Sequence, residues 1–453
     1  MRALVAIIGY AAGAACGDNL TATGTFAVVG HSDLQARGMN AALAIADDTA
    51  YVGSRIDGKG ILIVDIADPS APAVVGEVGA PTQAVSGMSS RELRAVPELN
   101  LLVVLDLDCS PSLHGCSGAT PMENLQLYDI TARRAPPLAG TYHIPSSLFQ
   151  PRSPHEFFLW RDPVDPTRVL AFLTTPGAAP QLDIVDLTQP AAPLSVTKWD
   201  AVVDGGLPIG GANNILHSVS ASDDGRTLYL SHQTDGLVVV DQTNVIDKID
   251  TPPALRLVTP RANALIWPGA AMGPHSAVKV PERPLLVVSE EVYAPPYGTG
   301  CPWGHVHLAD ITDPAKPVQV GEYALPDPPS CDGIAPNTVF SSHNATALHD
   351  LALVTWYAGG IQAIDISDPT LPVQLAEFRP EPLSQVAVED PGLGGSHVEM
   401  WSYPIIKDGL IYVVDVRNGL YVLSYHGRWG EQVGERRFLE GNSNLGAFMP
   451  RHP

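Results

Sequence analysis

One run, GILIVDIADPSAP from Gly60 to Pro72, limits what this chain can fold into. It reads as an apolar strand that ends in an aspartate, then a turn built on Asp-Pro and closed by a second proline. The pattern returns as LQLYDITARRAP ending at Pro136, LDIVDLTQPAAP ending at Pro193 and GLVVVDQT from Gly236 to Thr243. It returns again as HVHLADITDPAKP ending at Pro317 and IQAIDISDPTLP ending at Pro372. A seventh, degenerate copy, GLYVLSYHG from Gly419 to Gly427, has lost the Asp and the prolines. Self-similarity of this kind marks a repeat architecture and outranks any local assignment.

Each repeat adds further strands around the motif. Apolar second strands precede it at Thr49–Gly53, Leu101–Asp106, Val169–Thr174, Thr227–His232, Pro284–Glu291, Leu351–Trp356 and Leu410–Asp415. A fourth strand such as AVVGEVG, Ala73–Gly79, follows the turn. Four antiparallel strands per repeat make a propeller blade, so the expected fold is all-β, a seven-bladed propeller. The spacing, roughly 55–70 residues against about 40–50 in common propeller repeats, puts the excess in loops. Abundant breakers (41 Gly and 42 Pro) agree with short strands rather than long helices.

The ring has to close. The seventh repeat stops after its third strand, while TFAVVGHS, Thr25–Ser32, copies the fourth-strand pattern upstream of the first repeat. Thr25–Gly30 is therefore expected to complete the last blade, which also removes an open edge. One propeller spans 25–427, and the stretch from Arg428 to Pro453, without repeat character, is expected to be a tail on the surface.

These segments resemble the LVIVD repeat, which stands here as ILIVD at Ile61–Asp65, over about Asn40 to Ser424. The resemblance implies a β-propeller and no single activity, because function sits in sites grafted onto folds. More distantly the chain is similar to selenium-binding protein, the methanethiol oxidase family, in its VVD-type strands and DP turns; that likeness implies a copper site of histidines. The cysteine motifs of that family are not matched. Carotenoid cleavage oxygenases are similar only in arrangement, with four axial histidines holding iron on a propeller.

Residues 1–16 look like an export signal, with a single Arg and an apolar run too short to span a bilayer. Ala14-Ala15-Cys16 resembles a lipoprotein cleavage site in which Cys16 becomes the lipidated first residue, although Gly13 stands where such sites prefer Leu. An exported chain, periplasmic, on the outer membrane or extracellular, would touch a membrane only through that anchor. The remaining cysteines are expected to pair as Cys109–Cys116 and Cys301–Cys331, since no CxxC spacing favours a metal. A net charge of −22 argues against nucleic acid, which a basic footprint would bind. No P-loop, GxSxG or HExxH is present, and a monomer is expected.

Five of the 14 histidines, His155, His217, His275, His343 and His397, stand at or near the start of an inner strand in five consecutive repeats. Packing alone does not ask for imidazole there. Neutral nitrogens converging on an axis suit a transition metal, copper or iron. Glu156 and Glu399 lie beside them as ligands or as acceptors that fix a tautomer. His232, Glu290 and Trp356 end second strands and are expected to rim the same mouth. Two readings stay open: a redox or oxygen-activating metalloenzyme on a small molecule, or a scaffold for a surface protein or glycan whose histidines cap strands. A metal-free site, with imidazoles binding an anion or acting as acid and base, is the third arrangement these residues allow.

Overall fold

The structure, a computed structural model, describes residues 24–56, 58–79, 88–108, 124–144, 154–176, 180–207, 215–249, 252–295, 298–326, 331 and 334–448. It is all-β. Among the described residues strands form six hydrogen-bonded sheets: four of four strands, one of five and one of eight. The eight-stranded sheet is two four-stranded units joined by the pairing of Ser54 with Ser90. Within each of the first six units the strands pair antiparallel in chain order, as in Phe157–Arg161, Val169–Thr174, Leu182–Asp186 and Leu194–Trp199. The Asp-ending motif is the third strand throughout, and it is almost wholly buried because neighbouring sheets cover both faces.

The turn chemistry repeats as the motif does. The Asp65 carboxylate accepts from the Ala67 N–H at 3.0 Å, and Asp129, Asp186, Asp241, Asp310 and Asp365 each take the N–H two residues on. The glycine of the fourth strand has its own reason. A Cβ at Gly140 would overlap the Pro190 carbonyl of the next unit's turn, and one at Gly321 would overlap that of Pro369. Unit thus docks on unit through a missing side chain.

Thr25–Ser32 pairs antiparallel with Gly419–His426, with a register shift between Val28 and Gly30. Gly30 then meets the Pro69 carbonyl of the first unit, as Gly140 and Gly321 meet theirs.

The chain beyond Arg428 corrects the expectation of a surface tail. Phe438–Leu439 pairs with the inner strand Ile405–Lys407 of the last unit. Farther on, the Asn442 carbonyl accepts from Leu159 at 3.1 Å, and Asn444 exchanges 2.8 Å hydrogen bonds with the Arg161 backbone and donates to the Asp223 carbonyl at 3.0 Å. Gly441 lies against the Ala345 carbonyl where no side chain would fit. The segment therefore crosses between inner strands of the third, fourth, sixth and seventh units, and Glu440, Asn442 and Asn444 are buried. Backbone groups, which carry no sequence signature, do most of this holding.

Cys301 and Cys331 are joined, with Cα atoms 5.5 Å apart. Cys16, Cys109 and Cys116 lie outside the described residues. The bond closes a 30-residue separation, so replacing both cysteines with serine is expected to cost about 2–4 kcal/mol in denaturant unfolding. An unchanged midpoint would show the staple to be idle.

Candidate metal centre

Four of the five histidines occupy one structural position. The backbone N–H groups of His155, His217, His275 and His343 donate to the carbonyls of Thr174, Ser231, Ser289 and Thr355, at 3.0, 2.9, 2.8 and 3.0 Å. Those acceptors end or adjoin the second strands of four successive units. The imidazoles consequently crowd together side by side, edge-to-face or tilted, with ring centroids 4.1, 4.0 and 4.3 Å apart from His155 through His343. His155 and His217 bring their Nε2 atoms to 2.6 Å.

Glu291 completes the group. Its Oε2 lies 3.3 Å from His275 Nε2 and its Oε1 lies 3.1 Å from His343 Nε2. The Tyr357 hydroxyl donates to the same Oε1, and the Tyr293 hydroxyl is 2.9 Å from that of Tyr357. Tyr357 sits at φ 44°, an uncommon backbone for an aromatic, pinned by hydrogen bonds with Met400 in both directions. His217, His275 and Glu291 each offer one ligand atom within 4.8 Å of the others, a group that could hold a metal ion.

Hydrogen-bond partners assign the tautomers. Ser218 donates to Glu156, so its oxygen accepts from His217 Nδ1 at 2.8 Å; Tyr403 donates to the other Glu156 oxygen at 2.7 Å. His343 Nδ1 donates to the Trp401 carbonyl at 2.6 Å. In neutral rings both Nε2 atoms are then lone pairs turned inward. His275 is buried, and among the described residues neither of its ring nitrogens makes an aligned hydrogen bond, despite the short approach to Glu291.

The electrostatics favour neutral imidazoles. Burial pushes His155 and His275 down to about 3, with the Arg91 guanidinium pressing the same way and Glu291 opposing. Burial and the neighbouring histidines hold His217 well below the ordinary range. Burial alone would raise Glu291, but His275, His343 and Tyr357 keep it well below the usual carboxylate range. Arg91 and Arg55 flank the Trp401 ring at 5.3 and 5.7 Å.

The other expected residues go elsewhere. His397 is exposed, at φ 43°, with its carbonyl taking a bond from Asn418. One residue separates His343 from its inner strand at Ala345, whereas seven separate His397 from Ile405, so the same local word falls at a different height. Glu399 is buried near Arg55, its carboxyl raised by burial and by Asp390. His232 is buried beside Asp235, at 3.3 Å, and lowered to about 4 by burial. Trp356 is core, donating to the Phe340 carbonyl at 2.7 Å. Glu290 turns away to accept from Trp267 Nε1 and from the backbone of Ala271, Met272 and Gly273. Of the carboxylates expected there, Glu156 alone joins the histidines, through Ser218. Sequence reasoning missed Glu291: the strand ends at Ser289, and past that point alternation cannot say which glutamate of the pair faces inward. It missed Arg91 because that residue is the extra one in the bulge between Ser90 and Glu92.

A second buried carboxyl lies near the end of the second strand of unit two, Leu101–Asp108. Burial pushes Asp106 up to about 8, opposed only by a 3.0 Å bond from Ser90. Between about pH 4 and pH 8 folding takes up a proton here, so stability falls as pH rises, by at most about 1.4 kcal/mol per unit. Asp106→Asn should leave stability near wild type at pH 5 and exceed it increasingly toward pH 8. Parallel pH profiles for the two proteins would rule this out.

Residues 37–79 match the LVIVD repeat model. No curated protein sequence matches the chain. Among solved structures it is similar to the β-propeller domain of Cps50 (Swd1) from Myceliophteria thermophila, at 11% identity over 85% of this chain and 96% of that one, TM-score 0.48. It is also similar to Raptor from Chaetomium thermophilum, at 11% identity over 88% of this chain and 29% of that one, TM-score 0.48.

Proposed function

We propose that this LVIVD-repeat protein is an exported seven-bladed propeller that holds one transition-metal ion, copper or iron, among the histidines, and acts as a metal-dependent oxidoreductase on a small molecule. The observation that carries the reading is the buried group of His217, His275 and Glu291, whose ligand atoms lie within 4.8 Å of one another, with His343 Nε2, a lone pair in the neutral ring, 3.1 Å from the same carboxylate. Two lone-pair acceptors side by side in a buried space are costly unless a cation lies between them. Imidazoles with one carboxylate suit a first-row transition ion with open positions.

Such an ion would supply the redox or oxygen-activating chemistry. The chain's own part is positioning. Glu156 and Ser218 fix the His217 ring, the Trp401 carbonyl fixes His343, and Tyr357 holds Glu291 in place. Burial keeps water from the donors. Ring closure is supported by the pairing of Thr25–Ser32 with Gly419–His426 and by the contact of Gly30 with the first unit's turn. The Cys301–Cys331 bond supports an oxidising compartment, and the N-terminal sequence supports export, with Cys16 as an anchor. No helix among the described residues is long and apolar enough to cross a membrane.

A scaffold reading has one observation in its favour. Glu291 can be balanced by the His343 imidazole and the Tyr357 hydroxyl, which would satisfy the group without metal. Elemental analysis of protein taken from the exported fraction separates the two. The metalloenzyme reading expects about one equivalent of copper or iron, and the scaffold reading expects none.

A further inference from the structure

A different pair of histidines lies on the fifth unit. His305 and His307 flank Val306 at the start of the third strand, Val306–Asp310, and so share one face of it. Glu322, on the fourth strand Val318–Tyr323, stands directly opposite His307 in the ladder. The Glu322 carboxylate already bonds His305 Nδ1, and its other oxygen is 3.9 Å from His307 Nδ1. One carboxylate is thus drawn between two Nδ1 atoms two residues apart.

His307 is the unusual member. It is 1% exposed, and neither ring nitrogen makes a hydrogen bond among the described residues. Its ring is clamped by Trp267, stacked at 3.7 Å. Its Nε2 lies 3.7 Å from Glu290 Oε2, which accepts from Trp267 Nε1, while the other oxygen of Glu290 accepts from three backbone N–H groups. A carboxylate behind one imidazole nitrogen directs the N–H there and leaves the other nitrogen as a donor to metal. That donor faces Glu322. The His305 and Glu322 side chains are 33% and 43% exposed, so the position opens to solvent.

We propose that His305, His307 and Glu322 form a second metal site, for a divalent ion of the zinc class, with Glu290 positioning His307. Two imidazoles and one carboxylate with a fourth position open to water is a donor set zinc accepts. The site shares no ligand with the axial group and does not depend on it.

Untagged protein titrated with Zn2+ against a chromophoric chelator tests this. Wild type should bind one equivalent more than the His305→Ala/Glu322→Gln variant, whatever the axial group holds. Either single change should weaken that equivalent at least tenfold. Both changes fall on half-exposed side chains, so the fold should survive, and unchanged thermal unfolding verifies it. Co2+ should give tetrahedral absorption that the double variant loses. Equal zinc number and affinity in wild type and double variant, or no zinc bound by wild type, would overturn the site.

Discussion

A chain ending at Glu435 is expected to lose on the order of 5 kcal/mol of stability. The deletion removes Phe438 and Leu445 from the core cluster that joins the first, second, third and last units. Buried residues of that size cost about 2–5 kcal/mol each when cut back. It also removes the Asn442 and Asn444 bonds to Leu159, Arg161 and Asp223, each contributing about 1 kcal/mol. Partial relaxation of the vacated space offsets some of this. Because the segment spans four units, the loss should appear as a lower midpoint of the whole transition rather than as local fraying. Gly441→Val gives an independent check, since its side chain would collide with the Ala345 carbonyl. A truncated chain that melts with the full-length protein would contradict a clasp across these units.

Much of the fold was readable because each repeat writes its own geometry. Aspartates at 65, 129, 186, 241, 310 and 365 announce the turn and each caps it, and AVVG at Ala27–Gly30 announces a strand that pairs with the last motif. The clasp was not readable. Its polar contacts are made by backbone groups, a glycine and two asparagines, and its core residues Phe438 and Leu445 stand too far apart to register as a hydrophobic periodicity. Within the site the histidines of four units were legible because a duplicated unit places the same residue at the same height. His397 failed where the seventh repeat inserts residues before its inner strand. Glu291 and Arg91 failed for a shared reason: a strand end and a bulge both break the alternation by which facing is inferred.

Metal content measured alongside thermal unfolding, on wild type, His217→Ala and Glu291→Gln, tests the central claim most directly. His217 and Glu291 supply ligand atoms from different units, and neither side chain fills a hydrophobic core cluster. Each change should therefore cut bound copper or iron from about one equivalent to less than a tenth while the protein still unfolds cooperatively near the wild-type temperature. Glu291→Gln keeps the shape and removes the charge, so its effect isolates the carboxylate as a donor. The account predicts metal in wild type and its loss in both variants. Stoichiometric copper or iron persisting in both, or none in wild type grown with either metal in excess, would contradict it.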